Sequence, residues 1–131
     1  TLFRSVKSRY RQTFLGAFWA IERTLVHDGF VARYETDPQG TVDGLPAGEG
    51  TFLPCSFWLV DNLALSGRVD EARELFESIL VRRNAYGLLS EDIHPNAGEL
   101  WGNLPQTYSM AGIINSATRL SSSWEEAWAR D

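Results

Sequence analysis

The carboxylates best placed to do chemistry lie on two long loops: Glu49 on the first, and Glu91, Asp92 and Glu99 on the second. General acid–base catalysis needs a carboxylate in a partly desolvated pocket, aimed at the substrate by its surroundings. Glu91 meets the sequence side of that requirement, because Gly87-Leu88-Leu89-Ser90 is an apolar lead-in able to carry it inward from a rim. Asp92 follows directly, and Trp101 is an aromatic of the kind that stacks on sugar rings. The plain alternative for each carboxylate is a solvated loop residue.

Other familiar chemistries find no support. His27 and His94 are far apart and neither has a partner at metal-ligand spacing, so no metal is expected and both read as surface or loop-packing residues. No glycine-rich loop runs into Lys and Ser or Thr, and Gly48-Glu49-Gly50 is too short for a nucleotide fingerprint, so no cofactor is implied. The single Cys, Cys55, excludes an internal disulfide and a cysteine zinc site; its apolar neighbours make it a small core residue. Ser56 and Ser109 lack a nucleophile-elbow context.

Four helices must position these residues. Phe14, Phe18, Ile21 and Leu25 recur at helical spacing and predict a helix from Arg9 to Val26; Phe3, Leu15 and Trp19 widen its apolar surface enough to imply burial. His27-Asp28-Gly29 should end it, with Gly29 as a left-handed cap. A short strand-like stretch, Phe30 to Tyr34, opens a Gly- and Pro-rich loop reaching Gly50, and loops of that length are often functional. The second helix is expected from Thr51 to Leu65, capped by Thr51, with Pro54 tolerated in its first turn and Ser66-Gly67 closing it. Val69 to Asn84 forms the clearest amphipathic helix, acidic at its start and carrying Arg82 and Arg83 at its end, and should lie outside. A loop from Ser90 to Asn103 precedes the fourth helix, expected from Leu104 or Pro105 to Leu120 and buried; Ser122 or Ser123 could cap a short terminal helix at Trp124 to Trp128. Long loops on one side and short turns on the other are what a two-layer helical barrel produces.

Composition sets the outer bounds. The 131 residues suffice for a real core, and 44% hydrophobic with 22% charged residues excludes a disordered chain. The net charge of -5 argues against a nucleic-acid partner. Charge is uneven: Arg4, Lys7, Arg9, Arg11, Arg23 and Arg33 face only Glu22 and Asp28 in the first stretch, and the remainder is acidic. The arm from Arg4 to Arg11 reads as a solvated face ahead of a phosphate or lipid site. No apolar run approaches the roughly 18 residues a membrane helix needs, so no membrane partner is expected. The chain opens Thr1-Leu2 without an initiator Met or signal pattern; a piece of something longer is expected, and one Cys leans the compartment towards the cytoplasm.

Three ordered blocks carry a family resemblance: Gly44-Leu45-Pro46-Ala47-Gly48-Glu49-Gly50-Thr51-Phe52-Leu53-Pro54-Cys55-Ser56-Phe57-Trp58-Leu59-Val60-Asp61, then Gly67-Arg68-Val69-Asp70-Glu71-Ala72-Arg73, then Gly87-Leu88-Leu89-Ser90-Glu91-Asp92 with Gly102-Asn103-Leu104-Pro105-Gln106-Thr107-Tyr108-Ser109. From about His27 to Leu120 the chain resembles bacterial members of glycoside hydrolase family 15, the glucoamylase-type family that also holds glucodextranases and some trehalases. The resemblance implies an all-α fold, a partial (α/α)6 barrel forming the C-terminal portion of one catalytic domain across residues 1–131. It also implies inverting hydrolysis of α-linked glucosides, in which one Glu protonates the leaving oxygen and another activates a water on the opposite face.

The family's base falls on Glu91, and its substrate-facing loop on Glu49, which is expected to contact sugar together with Trp101, Thr107 and Tyr108. Fungal-type members place a Ser where this chain has Gly102, so Glu91 would need another orienting partner, with Thr107, Tyr108 or Ser109 as candidates. The general acid lies in an earlier part of the family's barrel. The expected partners are an α-glucan, dextrin or trehalose-type carbohydrate, and either the rest of the barrel or a self-association partner for exposed helix faces. Two other readings remain open. Ser66 to Phe76 reads like one helix of a tetratricopeptide-type scaffold, although the roughly 34-residue period is missing; the third reading is a barrel that binds sugar without catalysis.

Overall fold

The computed structural model describes residues 2–35, 51–94 and 96–121. Glu49 and the proposed terminal helix at Trp124 to Trp128 lie outside the described residues. Four helices dominate: α1 (Leu2–Leu25), α2 (Leu53–Leu65), α3 (Val69–Leu80) and α4 (Thr107–Leu120). They are joined by five two-residue strands: β1 (Val26–His27), β2 (Phe30–Val31), β3 (Thr51–Phe52), β4 (Asp92–Ile93) and β5 (Leu100–Trp101). The molecule is mostly helical, and the strands, which an all-α reading omits, form two small antiparallel sheets. Among the described residues no helix is long and apolar enough to cross a membrane.

α2 is the centre of the packing, lying against α3 on one side and α4 on the other. Its Leu53, Phe57, Val60 and Leu63 meet Ala72, Phe76 and Ile79 of α3, and Leu89 and Ile93 complete the core. Phe57 and Phe76 meet edge to face with ring centroids 6.4 Å apart. The approach of α4 is set by Gly112, where a Cβ would overlap the Phe57 ring. Arg68, the residue before α3, spans outward: its Nη1 donates to both carboxylate oxygens of Glu22 on α1 at 2.8 Å, and its Nε and Nη2 donate to Glu71 at 2.7 and 2.6 Å.

Several boundaries differ from the periodicity reading, each for a local reason. α1 starts at Leu2 rather than Arg9, because Leu2 to Tyr10 contains neither Gly nor Pro to break it. It is also less buried than its composition implies: Phe18 is buried, while Trp19 and Ile21 are exposed. Gly29 serves a hairpin instead of a helix cap. Asp28 (φ 50°) and Gly29 (φ 85°) are both left-handed, the requirement of a type I′ turn, and they pair His27 with Phe30 and Val26 with Val31.

Thr51 does not cap α2. It is strand, the N-cap is Phe52 with no side-chain bond, and the Thr51 hydroxyl donates to the Ile93 carbonyl at 3.1 Å. α3 ends at Leu80 rather than Asn84, since the Asn84 side chain accepts from the N–H groups of Tyr86 and Leu88 and favours a turn. Arg83 still serves the α3 terminus, donating from Nε to the Leu80 carbonyl at 2.8 Å. α4 begins at Thr107, after a Leu104–Pro105 peptide that is cis, and its N-cap is Gln106, whose Oε1 accepts from the Tyr108 N–H. One side of α4 rests on the core, while Tyr108 and Ile114 are exposed, so α4 is not the buried helix its composition suggests.

Candidate functional site

The second loop is not structureless. β4 and β5 form a hairpin, with Asp92 opposite Trp101 and Ile93 opposite Leu100, and β3 joins on the other side with Thr51 opposite Ile93. Glu91 sits immediately before β4, at the end of the central strand of this three-stranded sheet and beside the start of α2. Its carbonyl accepts from the Leu53 N–H and its N–H donates to the Asn103 carbonyl, both at 3.0 Å. The main chain at Glu91 is therefore fixed from two sides.

The Glu91 side chain is half-buried, and among the described residues its carboxylate accepts no hydrogen bond. Gly102 lies against it: a Cβ there would stand 3.1 Å from the Glu91 Cβ, 3.3 Å from its Oε2 and 3.1 Å from Asp92 Oδ2. Gly102 also has φ 76°, a left-handed conformation natural to Gly. The bare Cα of Gly102 thus packs closely against the Glu91 and Asp92 side chains, where a larger residue would have to displace one of them.

Trp101 stands across the hairpin from Asp92 and is partly exposed. Its Nε1–H donates to Glu99 Oε2 at 3.1 Å, and its ring meets His94 edge to face at 4.8 Å. Glu99 is thereby a support for Trp101, and His94, read from sequence as a packing residue, steadies the same ring. His94 Nδ1 also accepts from the Ala97 N–H at 3.1 Å, which ties down the hairpin loop.

Thr107 and Tyr108 are exposed at the start of α4, with Tyr108 73% exposed. The described bonds take neither of them to the Glu91 carboxylate, and Ser109, the third candidate partner, donates instead to the Ser90 carbonyl at 2.7 Å. Ser109 thus bonds the backbone of the residue before Glu91 and not the Glu91 carboxylate. The sequence named Ser109 as a candidate partner of the carboxylate rather than of the Ser90 carbonyl, and read Thr51 as a helix cap; no local signal gives either true acceptor, 19 and 42 residues away.

Among the described residues an apolar cleft lies elsewhere. Phe18, Leu25, Val31, Cys55, Trp58 and Leu59 line a space of about 230 Å³ between α1, β2 and α2, and Glu91 is not on its wall. Burial pushes the Cys55 thiol up, more than the nearby Arg33 charge draws it down, so Cys55 stays a protonated packing group.

The family model described as glycosyl hydrolases family 15 matches residues 3–118. Among curated proteins, the chain is 41% identical over 110 residues to a trehalase of Thermoplasma volcanium, covering 83% of this chain and 17% of that protein. It is 39% identical over 120 residues to a trehalase of Thermoplasma acidophilum, covering 91% of this chain and 19% of that protein. It is 40% identical over 119 residues to a trehalase of Mycobacterium tuberculosis, covering 91% and 17%. The chain thus spans less than a fifth of the length of these relatives. No solved structure matches it. With the family model covering most of the sequence, the chain belongs to glycosyl hydrolase family 15.

Proposed function

We propose that this chain is the base-bearing part of a glycoside hydrolase acting on an α-linked glucoside, with trehalose the first substrate to test. The observation that carries the reading is the state of Glu91: its main chain is fixed from two sides, and among the described residues no hydrogen bond holds its half-buried carboxylate. In an inverting reaction that carboxylate takes a proton from a water, which attacks the anomeric carbon on the face opposite the leaving group. A second carboxyl, about 6.5–9.5 Å from the first, protonates the departing oxygen. That general acid is assigned to residues outside this chain. Trp101 offers a sugar-stacking face, Tyr108 and Thr107 a polar edge, and Glu49 a further sugar contact. Starch-type glucans and dextrins are the alternative substrates.

The same reading makes the four helices one sector of an (α/α)6 barrel, with α3 outside and α2 and α4 inside. The exposed Trp19, Trp58 and Ile114 then face either the remaining helices or a second copy. The isolated chain is expected to self-associate and not to hydrolyse trehalose.

The deciding experiment is Glu91→Gln in a full-length protein carrying this segment. Trehalose turnover should fall by about 10²–10⁴-fold while trehalose still perturbs Trp fluorescence. Near-normal turnover would remove Glu91 from the reaction. A member that binds sugar without catalysis would show the fluorescence change and no turnover even before substitution.

A further inference from the structure

Among the described residues, three buried hydroxyls converge on the four-residue segment that carries Glu91. Ser109 Oγ, on the first turn of α4, donates to the Ser90 carbonyl at 2.7 Å. Ser90 Oγ donates to the Asp92 carbonyl at 2.5 Å. Thr51 Oγ1, just ahead of α2, donates to the Ile93 carbonyl at 3.1 Å. The remaining carbonyl, that of Glu91, accepts from the Leu53 N–H at 3.0 Å. Every carbonyl from Ser90 to Ile93 therefore has a donor, and three of the four donors lie on or beside the first turns of α2 and α4, the fourth being Ser90 within the segment itself. Thr51, Ser90 and Ser109 are all buried, the last two completely.

Among the described residues no hydrogen bond holds the Glu91 carboxylate, so within them its placement follows from its Cα, and its Cα is placed by these carbonyls. A buried hydroxyl that loses its acceptor, or a buried carbonyl that loses its donor, is costly, so the segment is held in one place relative to both helices. Displacement of a reacting group by about 1 Å can cost 10²-fold in rate, which makes such fixing consequential for turnover.

We infer that Thr51 and Ser109 are positioning residues that aim the Glu91 carboxylate through the main chain, tying it to the starts of α2 and α4. The inference rests on the reading of Glu91 as the general base. Thr51 acts from the β3 side and Ser109 from the α4 side, so neither touches the substrate or the carboxylate.

The test uses the full-length protein, with Thr51→Val, which keeps the side-chain shape and removes the hydroxyl, Thr51→Ser, which restores it, and Ser109→Ala. Thr51→Val and Ser109→Ala should each lower kcat by roughly 10- to 100-fold with KM held within about twofold. Thr51→Ser should recover most of the loss, which a merely structural contribution to the fold would not separate from KM. Should Ser109→Ala fail to fold, the Thr51→Val and Thr51→Ser pair decides alone. Unchanged kcat in Thr51→Val, in a protein where Glu91→Gln abolishes turnover, overturns the positioning role and leaves the base assignment standing. Full turnover in Glu91→Gln overturns the base assignment itself, so the two failures are distinguishable.

Discussion

Gly102 lies directly against Glu91: a Cβ added to the glycine would meet the Glu91 Cβ at 3.1 Å and its Oε2 at 3.3 Å. Two separate costs follow for any side chain there. One is the left-handed backbone, worth roughly 1–2 kcal/mol for an L-residue. The other is displacement of Glu91 or Asp92. Gly102→Ala should therefore lose about 1–2 kcal/mol in denaturant unfolding and also lose turnover. Gly67→Ala is the control, since Gly67 has φ 90° and open space around its Cα. It should show a similar stability loss with turnover intact. Equal activities for the two variants would show that the space beside Glu91 is dispensable.

Gly112 sets how closely α4 approaches α2. Ala is the better helix former by roughly 0.5–1 kcal/mol, but its methyl would overlap the Phe57 ring, and overpacking costs about 1–3 kcal/mol. The steric cost is larger, so Gly112→Ala should destabilise the chain in urea titration. In a Phe57→Ala background, which removes the struck Cγ and Cδ2, the Gly112→Ala substitution should cost less than in the native chain. An unaltered or raised urea midpoint for Gly112→Ala alone would mean the helices have room to spare.

Arg68 holds two carboxylates, and its hydrogen bonds keep the Glu71 carboxyl below its ordinary 4.5. The guanidinium is in turn pushed above its usual value, chiefly by Glu71 and then by Glu22. A lowered carboxylate value means that this contribution is complete above 4.5 and disappears as pH falls through the folded value. Glu71 is fully exposed, so solvent and salt screen the effect. Melting curves of the native chain and Arg68→Gln should differ at neutral pH, converge on acidification, and differ less in high salt. A gap that persists in acid would place the stabilising role of Arg68 elsewhere, in its packing.

α3 was the most legible element, because Ala72, Phe76 and Ile79 repeat at the spacing of one buried face and Gly67 marks the turn before it. The partial burial of Glu91 was legible too, since it follows the apolar Leu88-Leu89 lead-in. What holds Glu91 was not. The Thr51 hydroxyl looks like a helix cap until its acceptor, a carbonyl 42 residues away, is known. The β4–β5 hairpin was hidden for a different reason: two-residue strands are too short to show a period of two, and Pro95 and Gly98 read as plain loop. The exposure of Tyr108 and Ile114 on α4 was equally hidden, because composition registers that a helix is apolar and not which side has a neighbour.

The anchors at Ser90 to Ile93 grip carbonyls, which every amino acid possesses in the same place. Such a mount is blind to the cargo it carries. At position 91 the scaffold and the reagent are separable: a different side chain would arrive at the same point in space, aimed along the same bond. For this family member, new reactivity at the rim is a one-codon change, while a new geometry would require rebuilding the starts of two helices.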